Sequence, residues 1–207
     1  MFRLSPKMAM AMVMVMIFGL NLAIQVQAAP DGDWNAVKAR IESARDYTLK
    51  YDYSSERGVL KFDYSVSLAG PRIRTEVLRG SSRNVGSIVV YDPSFAADKV
   101  RAKVGMGRIT RGLDHPDVVG TPFFQPLFTM ILNELKSYPT MKVAGTENVR
   151  GQQTTVYEFS GTSATEYRVW VNANHEMVRT EKKRAGKVIE TRDFRQIRWN
   201  CDPKVGF

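Results

Sequence analysis

Apolar and polar residues alternate along most of the chain after residue 46, and this period of two predicts β-strands. Tyr47 to Tyr53 alternates in this way, and the pattern repeats from Leu60 to Leu68 after a turn at Glu56-Arg57-Gly58. Turn residues separate further predicted strands at 72–77, 88–91, 99–104, 141–143, 154–159, 167–171, 177–182 and 188–199. Such alternation is typical of an antiparallel meander with one solvated face and one apolar face.

A first helix is predicted before these strands. Asp33 is a suitable cap, and the helix should end near Asp46. Its apolar face is spaced at helical intervals and consists of Trp34, Val37, Ile41 and Ala44.

A second helix is predicted in the middle of the chain, within the apolar stretch from Thr121 to Ser137. It should start near Gln125, with Pro126 in the first turn, because a proline deeper inside would remove a backbone hydrogen bond. The preceding residues, 105–122, contain Gly, Pro and Asp and interrupt the strand pattern.

The first 28 residues have the organisation of a secretory signal peptide. Arg3 and Lys7 form a basic start, residues 8–20 are uninterruptedly apolar, and Val26-Gln27-Ala28 places cleavage before Ala29. The alternative is an uncleaved membrane anchor, but the apolar run is shorter than the roughly 20 residues that span a bilayer. We therefore predict an exported, periplasmic protein.

Removal of the signal leaves residues 29–207, a length that fits a single domain. The formal net charge falls from +9 to +7 (9 − 2, for Arg3 and Lys7). The remaining basic residues mostly alternate with apolar ones, as on a solvated sheet face; transient attraction to a membrane or to an acidic envelope partner is the functional alternative. No nucleic-acid-binding motif is present, so nucleic acid is not an expected partner. Cys201 has no second cysteine to form a disulfide with, so stability has to come from packing and strand pairing.

The pattern predicts an α+β protein that is mainly β. The order is one helix, about five strands, a second helix and about five more strands. Two helices are few for the apolar face of so large a sheet. We therefore expect a strongly curved antiparallel sheet, an incomplete barrel with the helices lying in its concavity. Because burial of apolar area is favourable, such a cavity suits an acyl chain, at about 0.8 kcal/mol for each buried CH₂.

The chain thus runs from a signal peptide through a helix at 33–46 and paired strands that include Val90-Tyr91-Asp92-Pro93. It continues through the apolar helix at 123–136 to the hairpin from Tyr167 to Trp199, with its Arg184-Ala185-Gly186 turn. This order resembles the LolA-like superfamily of exported lipoprotein and lipid carriers. The resemblance implies an incomplete barrel with a helical lid over an apolar cavity that holds lipid chains. The superfamily includes soluble carriers, a lipidated receptor and a stress-signalling sensor.

Candidate ligand-binding residues are the apolar positions of the second strand, of its neighbours and of the mid-chain helix. The alternative for all of them is a permanent core. They are Leu60, Phe62, Tyr64, Val66, Val77, Phe123, Phe124, Leu127, Phe128, Ile131 and Val169.

Candidate catalytic and metal-binding residues are few. Asp114-His115-Pro116-Asp117 joins a histidine to two carboxylates, but a polar turn explains it better than a metal site. His175 fits a hairpin loop, and no nucleophile motif accompanies Cys201. We expect neither a catalytic residue, nor a metal, nor a cofactor.

The sequence therefore predicts a soluble envelope carrier that binds lipid or the acyl chains of a lipoprotein and is not an enzyme. A sensor or protein-interaction module of the same fold is the first alternative. A cell-envelope hydrolase is the second, because carboxylates that pair only in space are invisible in a sequence.

Overall fold

The computed structural model describes residues 30–56, 58–80, 84–119, 121–161 and 164–207. Within these ranges the chain forms two helices and eleven strands. The helices are α1 (Pro30–Ser43) and α2 (Leu127–Leu135). The strands are β1 (Asp46–Ser55), β2 (Gly58–Ser67), β3 (Arg72–Arg79), β4 (Ile88–Tyr91), β5 (Lys99–Val104), β6 (Gly107–Gly112), β7 (Thr140–Val149), β8 (Gln152–Ser160), β9 (Thr165–Asn172), β10 (Met177–Arg184) and β11 (Lys187–Trp199).

All eleven strands belong to one antiparallel sheet, in the order β6-β5-β4-β3-β2-β1-β11-β10-β9-β8-β7. Strands β1 to β6 form one meander, and β7 to β11 form a second that returns to the start of the first. The pairing of β1 with β11, in which Tyr51 lies opposite Phe194, joins the two meanders. The sheet ends at β6 and β7 and is not closed into a barrel. This confirms the predicted, mainly β incomplete barrel.

The two faces of the sheet differ as the alternation predicted. On β1, Tyr47, Leu49 and Tyr51 are buried on the face that carries the helices. On the outer face, Lys50 lies 2.9 Å from Asp63 on the neighbouring strand, in the register that places the two directly opposite each other. Opposite charges at facing positions support the pairing of antiparallel strands. Part of the basic surplus is therefore neutralised by cross-strand carboxylates.

Helix α1 lies earlier in the chain than predicted. It spans Pro30–Ser43, so Asp33 is inside it rather than at its cap, and the predicted end near Asp46 is wrong. Asp46 instead begins β1, and its carboxylate accepts the backbone N–H of Cys201 at 2.6 Å. The Asp46 side chain therefore anchors the segment that follows β11. Three members of the predicted apolar face, Trp34, Val37 and Ile41, are buried, whereas Ala44 lies after the end of the helix and is half-buried.

Helix α2 begins at Leu127, two residues later than predicted, because Pro126 takes the position before the helix instead of a place in its first turn. Two tyrosine hydroxyl groups of the sheet form hydrogen bonds with the backbone at the start of α2. The Tyr64 hydroxyl donates to the carbonyl oxygen of Gln125 at 3.0 Å, and the Phe128 N–H donates to the hydroxyl oxygen of Tyr47 at 3.3 Å. The second bond satisfies one of the N–H groups that a helix start leaves without an intrahelical partner, and the first holds the residue that precedes Pro126.

The apolar side of α2 fills the middle of the concave face. Phe128 is 1% exposed, and its ring centroid lies 5.1–5.3 Å from the ring centroids of Tyr47, Phe194 and Trp199. Aromatic rings at such separations attract one another beyond the effect of area burial alone. The other buried residues of the helix are Leu127, Ile131 and Leu135. The centre of the molecule is thus packed with the protein's own side chains.

Strand β6 is an element that the alternation did not predict. It lies at 107–112, inside the segment that was expected to be irregular, and pairs with β5 along its whole length. Its side chains are mostly exposed, because it forms one edge of the sheet. An exposed edge strand bounded by Gly107 and Gly112 carries little of the apolar periodicity by which a strand is recognised.

The predicted signal peptide, residues 1–28, lies outside the described residues and stays a prediction. Neither helix in the described ranges has the length and apolarity needed to cross a membrane.

Replacing Phe128 with Ala should lower the free energy of unfolding by about 3–5 kcal/mol, because the substitution leaves a cavity among three aromatic rings. Urea denaturation measures this change. Phe95, which is 63% exposed, provides the control: Phe95→Ala should change the free energy by about 1 kcal/mol or less. Equal effects of the two substitutions would contradict the central role of Phe128.

Five buried tyrosines should make the protein sensitive to alkali. Burial raises the pKa of each phenol, in the case of Tyr157 to about 12; the others are Tyr47, Tyr51, Tyr64 and Tyr167. Because the pKa is higher in the folded chain, the associated stability is complete below pH ~10 and is lost as the pH rises above it. Tyrosinate absorbance should therefore appear together with loss of near-ultraviolet circular dichroism. Full tyrosine ionisation near pH 10 with the native spectrum intact would contradict this.

Candidate functional site

Helix α2 is flanked by a cleft on each side. The first, called here the helix cleft, lies between α1 and α2 and has a volume of about 760 Å³. Its apolar lining is Trp34, Ile41, Leu68, Leu132 and Phe159. Charged residues also line it, and these are Lys38, Glu42, Arg45 and Lys136.

The second cleft, called here the sheet cleft, has a volume of about 670 Å³ and lies between α2 and strands β1, β2 and β11. Its apolar lining comes from these strands, from α2 and from the segment before α2, and comprises Leu60, Phe62, Val119, Phe123, Met130 and Ile189. A polar side is provided by Tyr53, Glu190 and Arg192. Clefts of 300–1,000 Å³ that combine apolar walls with polar groups are the usual form of small-molecule sites, and the sheet cleft has an unusually large polar share.

The structure places the predicted ligand-binding residues in two environments. Leu60, Phe62 and Phe123 line the sheet cleft. The others belong to the packed core or lie against it: Tyr64, Val66, Val77, Leu127, Phe128, Ile131 and Val169 are buried, and Phe124 is partly buried. Contact of any of these residues with a ligand stays a prediction.

A buried arginine beside the sheet cleft was not among the predicted residues. Arg192 is 7% exposed and contacts Glu190 at 2.5 Å, Glu134 at 3.3 Å and the hydroxyl of Tyr167 at 2.9 Å. Glu134 also binds the Lys182 ammonium at 2.7 Å. Because Glu134 is on α2 and its partners are on β10 and β11, this charge network ties the helix to the sheet.

The pKa shifts agree with a network that holds Arg192 charged. Burial alone would lower the pKa of this guanidinium, but the interactions with Tyr167, Tyr51, Glu190 and Glu134 outweigh burial and raise it. The pKa of Lys182 is likewise raised, because its bond to Glu134 outweighs desolvation. A charge removed from water is tolerated only when ion pairs and hydrogen bonds compensate it. Displacing α2 would take Glu134 away from both cations.

The alternation of β11 contained a signal for this network. Phe194 is buried, and Glu190 and Arg192 lie two and four residues before it on the same strand. Side chains two and four residues apart on a strand point to the same face. Interpreting most of the basic residues as a solvated face left Arg192 out of the candidate site, and Glu134 could not be matched to Arg192 without the fold.

The histidines lie in turns. His115 is in the turn-rich segment before α2, where its Nδ1 accepts the backbone N–H of Asp117 at 3.2 Å. His175 lies between β9 and β10 with a positive φ of 56°, as expected for a hairpin loop. In the ranges that the structure describes, no group of three or more His, Cys, Asp or Glu residues could hold a metal ion.

Comparison with known proteins relates this chain to others through its fold. No protein-family model matches the sequence. No curated protein matches it either. Among solved structures, the lipoprotein LppX from Mycobacterium tuberculosis has a TM-score of 0.55 at 13% identity, over 86% of this chain and 100% of LppX. LprF from Mycobacterium bovis has a TM-score of 0.51 at 8% identity, over 86% of this chain and 97% of LprF.

MucB is a third similar structure, with a TM-score of 0.56 at 14% identity over 86% of this chain. The match spans 62% of the length of MucB, which is therefore a longer protein. MucB of Pseudomonas aeruginosa has also been solved in complex with MucA, and that complex gives a TM-score of 0.54 at 13% identity. At such identities the likeness shows the fold alone, and that fold is LolA-like.

Replacing Glu134 with Gln should loosen α2, because Lys182 loses its carboxylate and Arg192 keeps only that of Glu190. We expect the free energy of unfolding to fall by about 1–3 kcal/mol and the amide protons of α2 to exchange faster. Urea denaturation and hydrogen exchange measure the two effects. Glu166→Gln, at an exposed position of β9, is the control. Equal protection of α2 in both variants would show that the network does not hold the helix.

Proposed function

We propose that this protein binds an acyl chain of a lipid or lipoprotein in the sheet cleft and carries it through the cell envelope. The observation that supports this most directly is the cleft itself, a space of about 670 Å³ beside the packed core whose lining is about half apolar and half polar, with the two kinds of residue on different sides. Burying each CH₂ of a guest there is favourable by about 0.8 kcal/mol. A chain that covers these walls is therefore retained without any covalent bond or cofactor.

The two sides of the sheet cleft suit different parts of an amphiphilic molecule. The hydrocarbon chain lies against Leu60, Phe62, Phe123 and Met130. A polar group such as an ester or glycerol hydroxyl lies on the opposite side, where Tyr53 donates to Glu190 at 3.2 Å. The polar side also disfavours burial of a second hydrocarbon surface, because charged groups there would lose hydration. One acyl chain, rather than a bundle, is the cargo that suits this cleft.

A larger cargo requires displacement of α2. The helix separates the two clefts, and its removal from the concave face would join them. The charge network of Glu134, Lys182 and Arg192 opposes this movement, and the aromatic cluster around Phe128 opposes it further. The helix then serves as a closed lid whose opening exchanges its own apolar contacts for contacts with the guest.

The cellular setting of this function follows from the predicted signal peptide, cleaved before Ala29. We place the protein in the periplasm, as a single domain from residue 29 to 207. Exchange there requires a donor and an acceptor of lipid, and the LolA-like fold is consistent with both carriers and binding modules.

A protein-interaction role is the second candidate. The complex of MucB with MucA is the observation that favours it, because MucB shares the fold. Such a role would not require a lipid in the sheet cleft. The hydrolase alternative gains no support from the paired carboxylates Glu134 and Glu190, because both bind Arg192.

Replacing Leu60 with Asp should weaken lipid uptake by about tenfold or more, because it puts a carboxylate into the apolar wall of the sheet cleft. Leu60 is 37% exposed, so the substitution spares the core. The loss of one apolar contact alone predicts about tenfold weaker binding of a fluorescent fatty acid. Val59→Asp is a matched control, because Val59 is the neighbouring residue, is 40% exposed and points to the opposite face.

Two outcomes would contradict the proposal. The first is equal fatty-acid binding by the Leu60 and Val59 variants. The second is the absence of lipid from organic extracts of gently purified protein, measured by mass spectrometry, together with no uptake of the fluorescent fatty acid by the unsubstituted protein. Retained binding of a protein partner by Leu60→Asp, with lipid uptake weakened, would assign the two roles to separate surfaces.

A further inference from the structure

Exposed large apolar side chains are concentrated at one end of the sheet. Seven of the ten in the described ranges lie there, and they include Met106, which is fully exposed at the tip of the β5–β6 hairpin. The others at this end are Val59, Leu60, Leu78, Val85, Val119 and Val188. Single exposed apolar residues are ordinary, but a concentration at one place marks an interaction surface.

The strand register shows that these residues share one end. The turn that carries Met106 follows Lys103, which lies opposite Ile88, the first residue of β4. Ile88 lies opposite Glu76, two residues before Leu78 near the end of β3.

Val59 lies at this same end, near the start of β2, which pairs with β3. Val188 lies near the start of β11, at the same end as the start of β2. This end of the sheet is called here the cleft end.

The sheet cleft opens between these residues. Leu60 and Val119 belong to the exposed apolar set and also line the cleft, together with Gly58 and Asn84 of the same end. The apolar surface outside the protein is therefore continuous with the apolar wall inside it. A hydrocarbon chain moving between the two does not have to cross water.

The charge at the cleft end is predominantly basic. Its exposed basic side chains are Arg79, Lys103, Arg108, Arg184 and Lys187. Its exposed carboxylates are fewer: Glu56, which binds Lys187 at 2.8 Å, Glu166, and Asp117 beside the cleft-lining Pro116. Apolar side chains surrounded by Lys and Arg are suited to the boundary between acyl chains and anionic headgroups.

We propose that the cleft end docks on the surface of an anionic lipid bilayer, with Met106 and Val59 entering the boundary between headgroups and acyl chains. The purpose of docking would be direct transfer of a lipid between the bilayer and the sheet cleft, and this purpose rests on the proposed function. Docking itself needs only the apolar and basic side chains of this end.

A lipid surface explains the arrangement better than a protein partner does. The apolar residues occupy a hairpin tip, strand ends and both faces of the sheet, so they do not form one flat patch. Leu60 and Val59 are adjacent on β2 and therefore point to opposite faces. A rigid partner would need a complementary cavity for each protrusion, whereas a fluid bilayer adapts to all of them at once.

Co-sedimentation with vesicles tests the proposal. The full-length mature protein should sediment with vesicles of phosphatidylglycerol and phosphatidylethanolamine, and much less with vesicles of phosphatidylcholine alone. Met106→Asp and Val59→Asp should each weaken the partition to anionic vesicles by about tenfold or more, because an apolar contact is replaced by a repelled charge. Phe95→Asp is the matched control: Phe95 is 63% exposed but lies in the loop at the other end of β4, and this variant should bind as the unsubstituted protein does.

Fatty-acid uptake from solution separates this proposal from the proposed function. Met106→Asp and Val59→Asp should take up dissolved fatty acid normally while losing uptake from vesicles. If the unsubstituted protein binds vesicles but no fatty acid, the proposed carrier function is wrong and the docking proposal is supported. Vesicle binding that is unchanged in both variants, or that is absent in the unsubstituted protein, would overturn docking. A concentration-dependent dimer that Met106→Asp abolishes, without vesicle binding, would assign the surface to a second copy instead.

Discussion

The apolar face of an open sheet has to be covered, and here two short helices do most of the covering. Helix α2 carries the larger share, because Phe128 lies among Tyr47, Phe194 and Trp199, from strands that meet where the two meanders join. The hydroxyls of Tyr47 and Tyr64 hold the backbone at the start of the helix. A helix of nine residues cannot cover the whole concave face. The uncovered parts are the two clefts on its flanks, and any function of the concave side follows from them.

The charge network around Arg192 gives the covering helix a defined position. An arginine on the dry face of a sheet would be costly by itself, but Glu190, Glu134 and Tyr167 surround it. The ion pairs and hydrogen bonds of this network require one arrangement of α2 and add to the close packing around Phe128. Arg192 and Glu190 also line the sheet cleft, so part of the network that positions the helix also contributes to the polarity of the cleft.

Much of the fold could be predicted because strand alternation reports burial directly. β4 was predicted at its observed bounds, 88–91, and the hairpin turn at Ala185-Gly186 lies between β10 and β11 as expected. The errors occur where the local sequence pattern does not report the environment of a residue in the fold. β6 is an exposed edge strand, and Asp46 has a role that depends on the distant Cys201. The site was less predictable: three of the eleven candidate residues line the sheet cleft, since an apolar residue of the core and one of a cleft wall have the same local pattern.

The sequence by itself determined which residues face inward, where most strands run, and that the helices are too few for the sheet. These properties are local, because the side-chain period of a strand and the spacing of a helix are visible in neighbouring residues. Only the tertiary structure decided that Phe128 fills the middle of the concavity, that Glu134 meets Arg192, and that Met106, Leu60 and Val119 gather at one end. Each of these depends on residues far apart in the chain, which the pairing of β1 with β11 brings together.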